Sequence, residues 1–135
     1  MNTFLKMLVL VCTVGILSSC KYKTPEGRVD FVTDRLTSKL DLNDSQKSML
    51  KEIGDHAKQD LNAEKEIRAN LKPELIKMLG QPELDQARVK QILKERQARF
   101  DSRTDKYLSK VSNLHKTMNA EQKKELADLV EDYFE

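Results

Sequence analysis

One cluster of helix-breaking residues, Gly80-Gln81-Pro82, divides two long stretches of the chain. Before it, Leu50, Ile53, Ala57 and Leu61 form one apolar stripe, and Ile67, Leu71, Leu75 and Met78 form a second. After it, Val89, Ile92, Leu93, Phe100, Tyr107, Val111 and Leu114 mark another. Spacings of three and four are helical, and no stretch shows the alternation of a strand. Each segment predicts a helix of roughly thirty residues or more, about 45 Å long at 1.5 Å per residue. Two such rods joined by so tight a turn must run antiparallel. The fold class expected is therefore all-α, built on a long helical hairpin.

The ends of the hairpin carry their own signals. Thr24-Pro25 reads as a cap followed by a first helical position, and Val29, Val32, Leu36 and Leu40 continue it as a short amphipathic helix. Asp85 caps the third helix. Asn119 caps a fourth, whose apolar face is Leu126, Leu129, Val130, Tyr133 and Phe134. Gly80 is expected to cap the second helix at its C-terminus. Pro73 should kink that helix near Ala69 or Asn70. Gly54, which costs about 1 kcal/mol against Ala in a helix, marks the close approach of a neighbour.

A five-residue phrase occurs twice. Leu42-Asn43-Asp44-Ser45-Gln46 and Met118-Asn119-Ala120-Glu121-Gln122 match in kind, and Leu50 and Ile53 align with Leu126 and Leu129. A solenoid repeat runs roughly 20–50 residues, far shorter than the separation of these copies. Both copies are helix starts. Asn43 and Asn119 accept a hydrogen bond from a first-turn N–H, and Gln46 and Gln122 reach back to the cap's own N–H, completing capping boxes. Leu42 and Met118 pack on the core just ahead of each cap. The asparagines are expected to contribute about 0.5–2 kcal/mol each, and Gln46 less.

The first twenty residues read as an export signal. Lys6 supplies the positive end, Met7 to Ile16 an uncharged apolar run, and Leu17-Ser18-Ser19-Cys20 the close. The run is about half the length needed to span a bilayer. Its end matches the bacterial lipobox, which makes Cys20 the acylated first residue of the mature protein. The division expected is a signal peptide over 1–19, a lipidated tether over 20–27 and one helical domain over 28–135. The lipid anchors the protein to a membrane. Lys21, where an inner-membrane retention signal has Asp, favours the outer membrane. No second cysteine remains to form a disulfide. The mature chain balances 23 basic against 22 acidic residues, which gives no reason to expect nucleic acid.

Two Leu-Thr-x-x-Gln-like phrases, one after a short first helix and one before the last, resemble the Spy/CpxP-type periplasmic proteins. Asn stands here for Thr in both, and Met for Leu in the second. Pro82-Glu83-Leu84-Asp85-Gln86-Ala87-Arg88-Val89 is similar to that family's hairpin turn. The resemblance implies a curved, cradle-like, often dimeric domain. It implies an ATP-independent chaperone or stress adaptor for unfolded envelope proteins, in some members acting on a sensor kinase. A related branch senses heavy metals through His, Glu and Met.

Two candidate sites follow. Glu52 with His56, and His115 with Met118, offer imidazole, carboxylate and thioether to zinc, nickel or cobalt. With the turn centred near Gln81, His56 faces roughly Lys106, so the two histidines do not share one site. Arg96, Arg99 and Arg103 flank Phe100, near Leu61 and Ile67, as a mixed surface for client chains. By the same register they face about Glu66, Glu64 and Asp60, and would pair there instead. No nucleophile elbow, phosphate loop or ligand-rich spacing points to an enzyme or cofactor. The function expected is a client-binding chaperone or stress adaptor; the alternatives are a metal sensor and a purely structural lipoprotein. Leu61, Ile67, Leu93 and Phe100 lie beyond the reach of the short flanking helices, so a homodimer through the hairpin is also expected.

Overall fold

The computed structural model describes residues 24–134; the proposed signal peptide and Cys20 lie outside the described residues. Four helices and no strand make up the described chain: α1 Pro25–Lys39, α2 Asp44–Leu79, α3 Gln86–Thr117 and α4 Ala120–Phe134. The first turn of α1 falls inside the stretch expected to be tether.

Every helix start is set by a short side chain. Thr24 Oγ1 accepts from Gly27 N (3.1 Å) with Pro25 in the first turn. Asp85 Oδ1 accepts from Arg88 N (2.9 Å). Asn43 and Asn119 accept from the backbone of Gln46 and Gln122 at 2.9 and 2.8 Å. The glutamine carbonyls accept in return from Asn43 N and Asn119 N, both at 3.0 Å. Both capping boxes are complete.

Two features of α2 bear on the expectations for Pro73 and Gly80. Pro73 is accommodated within a single helix of 36 residues. Gly80 does cap α2, but at φ −84°, ψ −3°, right-handed rather than left-handed. A Cβ there would meet only Lys77 O at 3.6 Å and Ile76 O at 3.7 Å. Among the described residues the left-handed one is instead Asp41, at φ 44°, in the link between α1 and α2. A short polar side chain tolerates that conformation best after glycine.

α1 folds back along the first half of α2. Gly54 is buried beneath it: a Cβ would lie 3.0 Å from Thr33 Oγ1 and 3.6 Å from Val29 Cγ1. Lys58 pairs with Asp30 across the same seam. The buried cluster is Leu40, Leu42, Leu50, Leu114, Met118 and Leu126, supported by Ile53, Val111, Leu129 and others. All of it lies at the open end of the hairpin, where α1 and α4 join.

At the centre of that end the two copies of the repeated phrase meet. Gln46 Nε2 donates to Gln122 Oε1 (3.1 Å), and Gln122 Nε2 donates to Gln46 Oε1 (3.0 Å). Each amide's second N–H goes to the backbone carbonyl two residues ahead of the other copy's cap: Gln46 to Thr117 O (3.0 Å), Gln122 to Asp41 O (3.1 Å). With the two backbone bonds of the capping boxes, each amide uses two donors and two acceptor positions. Gln46 is 1 % exposed and Gln122 8 %. A buried amide is costly unless fully bonded. Here both are.

This inverts the expected ranking of Gln46 below Asn43. Asn43 sits at the surface and serves one helix end, whereas Gln46 is buried and joins two. Gln46→Ala should lower stability by roughly 2–4 kcal/mol, because it strands buried polar groups on α2 and α4. Asn43→Ala should cost about 0.5–2 kcal/mol. Urea denaturation gives both values; a smaller loss for Gln46→Ala than for Asn43→Ala would contradict the geometry.

Candidate interaction surface

Beyond the open end, α2 and α3 are held together by charge and small residues more than by apolar packing. Lys110 bonds Glu52 (2.5 Å), Lys106 and Tyr107 bond Asp60, and Arg88 grips both oxygens of Glu74. Between these rungs Ala63, Ala98 and Ser102 line an open groove of about 400 Å³ with Asp60, Glu64, Ile67, Arg99 and Arg103. The register expected from a turn near Gln81 holds for Glu52–Lys110 and Glu74–Arg88. At the waist Arg99 also keeps its expected partner Glu64, while the long side chain of Lys106 reaches Asp60, one turn along α2 from His56.

Glu64 is the focus of the waist. It is buried, and its carboxylate receives Arg103 Nη2 at 3.1 Å, Arg99 Nε at 3.7 Å and Arg68 Nε at 3.8 Å. The expected pairing across the hairpin therefore describes Arg99, and describes Arg103 with Glu64 in place of Asp60. It fails for Arg96, which is exposed and has no ion-pair partner among the described residues. Along α3 Arg96 is spaced three residues from Leu93 and four from Phe100, and all three are exposed.

At Asp60, burial pushes the carboxyl up. The hydrogen bonds from Tyr107 (2.6 Å) and Lys106 (3.1 Å), with the charges of Lys106 and Arg103, outweigh it and hold the group below its ordinary value. Burial and the same Asp60 contact push the Tyr107 phenol up.

The apolar stripe of α3 begins in the core at Leu114 and Val111 and runs out along the hairpin to Phe100, Leu93 and Val89. Its first part is covered by the flanking helices. Past the waist Phe100 is 50 % exposed and Leu93 56 %. On α2, Leu61 and Ile67 are half-buried, Ile67 at the groove with Arg99 and Arg103. Leu93, Arg96 and Phe100 thus form an open apolar and cationic surface on a finished fold. A second exposed apolar group, unforeseen as such, surrounds the turn: Leu75, Ile76, Leu79 and Leu84. Leu75 was legible as part of a helical stripe, but its lack of a covering partner was not.

The residues considered for metal lie apart from any cluster. Glu52 is engaged by Lys110, and the hydrogen bond and charge of that lysine lower its pKa. His56 Nδ1 is 3.8 Å from Glu52 Oε1. Met118 is buried in the core, and burial, then the charge of Lys123, lowers the pKa of His115. Among the described residues no group of three or more His, Cys, Asp or Glu side chains is placed to hold a metal ion. No described helix is long and apolar enough to cross a membrane.

The model of a family described as a domain of unknown function (DUF4890) matches residues 18–126 of the chain. The chain belongs to that family. No curated protein and no solved structure matches it.

The Asp60 contacts generate a pH prediction. The folded-state pKa of Asp60 is depressed, so the unfolded chain takes up this proton at a higher pH than the folded one. The contribution is present above the unfolded value and is lost as pH falls through the folded one. Asp60→Asn should destabilise the protein at neutral pH, and the gap to the unsubstituted protein should close as pH falls through and below the ordinary aspartate range. Urea denaturation across that range measures it; a constant gap would show that the carboxylate charge contributes nothing.

Proposed function

We propose that this protein is an envelope lipoprotein of Spy/CpxP-like type, which binds exposed segments of unfolded proteins reversibly and without ATP. The observation that carries the reading is the uncovered surface of Leu93, Arg96 and Phe100, continuous with a core that is complete without it. A soluble domain seldom leaves a contiguous apolar face open without a use for it. The mixture fits a client chain in flux: Phe100 and Leu93 offer weak apolar contact, while Arg96 attracts acidic residues at longer range. No covalent step is involved. The repeated Asn-x-x-Gln phrase and the turn after Gly80 support the resemblance to that family, and the lipobox at Cys20 supports the membrane anchor.

The waist sets how such a surface would work. Glu64 neutralises much of Arg99 and Arg103, so these two arginines keep the hairpin closed and act as its support, while Arg96 remains for the client. Contacts of this kind are weak one by one, and a client would fold and leave without an energy source.

The purified mature domain should slow aggregation of a chemically denatured test protein at near-stoichiometric ratio, with or without ATP, chelator or added zinc or nickel. Leu93→Asp with Phe100→Asp should abolish protection at unchanged helicity. Protection that survives the double substitution would place the activity elsewhere, and protection that requires metal would favour a metal sensor. Acyl labelling in a bacterial host should be lost in Cys20→Ala and the domain released from membranes. Labelling that persists would remove the lipoprotein reading.

A further inference from the structure

The closed end of the hairpin is chemically unlike the rest of the molecule. Among the described residues every exposed large apolar side chain lies between Leu75 and Phe100, and four of the six sit around the turn: Leu75, Ile76, Leu79 and Leu84. Leu79 is 76 % exposed and Ile76 61 %. Between Arg68 and Arg96 the chain carries seven basic and four acidic residues; the rest of the described chain carries fourteen basic and seventeen acidic. Two of those four acids, Glu74 and Glu95, are already held by Arg88. Lys72, Lys77, Lys90 and Lys94 have no ion-pair partner among the described residues.

We propose that this closed end docks on the surface of an anionic phospholipid bilayer. Aliphatic side chains protruding from the end of a two-helix hairpin form a wedge, which suits the boundary between headgroups and acyl chains. Lysines beside them lay their methylenes along the apolar surface and keep their ammonium groups among the phosphates. An acidic protein segment would meet the charge, but four outward-pointing aliphatic groups call for an apolar phase around them. The direction of α1 agrees. Val29 and Thr33 lie against Gly54, and Asp30 pairs with Lys58, so Pro25 stands beside the middle of the hairpin and the chain enters α1 from the closed-end side. On the lipidation reading, the few residues between Cys20 and Thr24 reach at most about 3.6 Å each. The closed end lies about 30 Å farther along α2 at 1.5 Å per residue, so the lipid and the closed end meet one bilayer only with the hairpin inclined to it.

The surface is distinct from the client surface of Leu93, Arg96 and Phe100, so the two readings separate. Among the described residues every buried one lies from Val29 onward, and the chain from residue 21 keeps all of them without a lipid. This unacylated chain is mixed with sedimentable vesicles of phosphatidylethanolamine alone or with phosphatidylglycerol. It should partition onto the phosphatidylglycerol vesicles and be released by salt. Ile76→Asp with Leu79→Asp, and separately Lys72→Glu with Lys77→Glu, should weaken partition at least about tenfold at unchanged helicity. Both variants should retain protection of the denatured test protein, whereas Leu93→Asp with Phe100→Asp should retain vesicle binding. Absence of partition, or partition indifferent to the tip variants, would overturn the proposal. So would a tip variant that halves the sedimenting mass of the free protein, because the cover would then be a second copy of this chain.

Discussion

Two glutamine amides facing each other in a closed hydrogen-bonded pair decide the form of this protein. Gln46 begins the longest helix and Gln122 begins the last, and each completes its own helix cap while bonding the other's amide. A buried primary amide has two donors and two acceptor positions to satisfy. Only a partner of the same kind, in mirrored orientation, lets both be satisfied with so few atoms. The pair also reaches Thr117 O and Asp41 O, so it gathers the link before α2, the link before α4 and both helix starts at one point. The apolar cluster around Leu42, Leu50, Met118 and Leu126 is arranged about it. A polar lock of this kind gives register as well as stability, since a shift of either helix by one residue would leave buried N–H and C=O groups unpaired.

Concentrating the lock and the core at one end has a consequence at the other. Past the waist the two long helices have no covering layer. They hold each other through Glu64 with its arginines and through Glu74 with Arg88. These are polar links between two helices, without the apolar cluster that backs the open end, so the closed half lies at the low-stability end of the molecule and opens more readily. The apolar stripe of α3 nevertheless continues into that half, at Leu93 and Phe100. A surface that is apolar, partly charged and mounted on a yielding support suits transient partners better than a rigid pocket would.

Much of the fold was legible because its signals are local. Thr24-Pro25, Asn43 with Gln46, Asp85, and Asn119 with Gln122 each act within one helical turn, and the hairpin follows from helix length and one breaker cluster. Gly54 announced a close neighbour for a similar reason, since a glycine within a helix is unfavourable without one. The Gln46–Gln122 contact was not legible, because no local rule brings residues 46 and 122 together. The repetition was the signal, and its reading as two separate caps was half of its meaning. The partners of Lys106 and Arg103 were not legible because pairing from a turn ranks backbone positions, whereas these long side chains reach a full turn along the neighbouring helix, to Asp60 and Glu64. Exposure of Leu75 was hidden for a related reason: periodicity marks the apolar face but says nothing of what covers it, and Ile76 and Leu79 lie off that stripe altogether.

The central claim is that the two copies of the phrase work as one unit, and a double-mutant cycle at Gln46 and Gln122 tests it most directly. Gln46→Ala, Gln122→Ala and the double substitution are compared by denaturant unfolding, with helicity checked for each. If the amides complete each other, either single change already leaves its partner unsatisfied, and the second adds little. The expected coupling is in the range of about 0.5–3 kcal/mol seen for contacting residues, with the double variant close to the worse single one. Losses that simply add would mean that each glutamine serves only its own helix, and the account of a shared lock would fail.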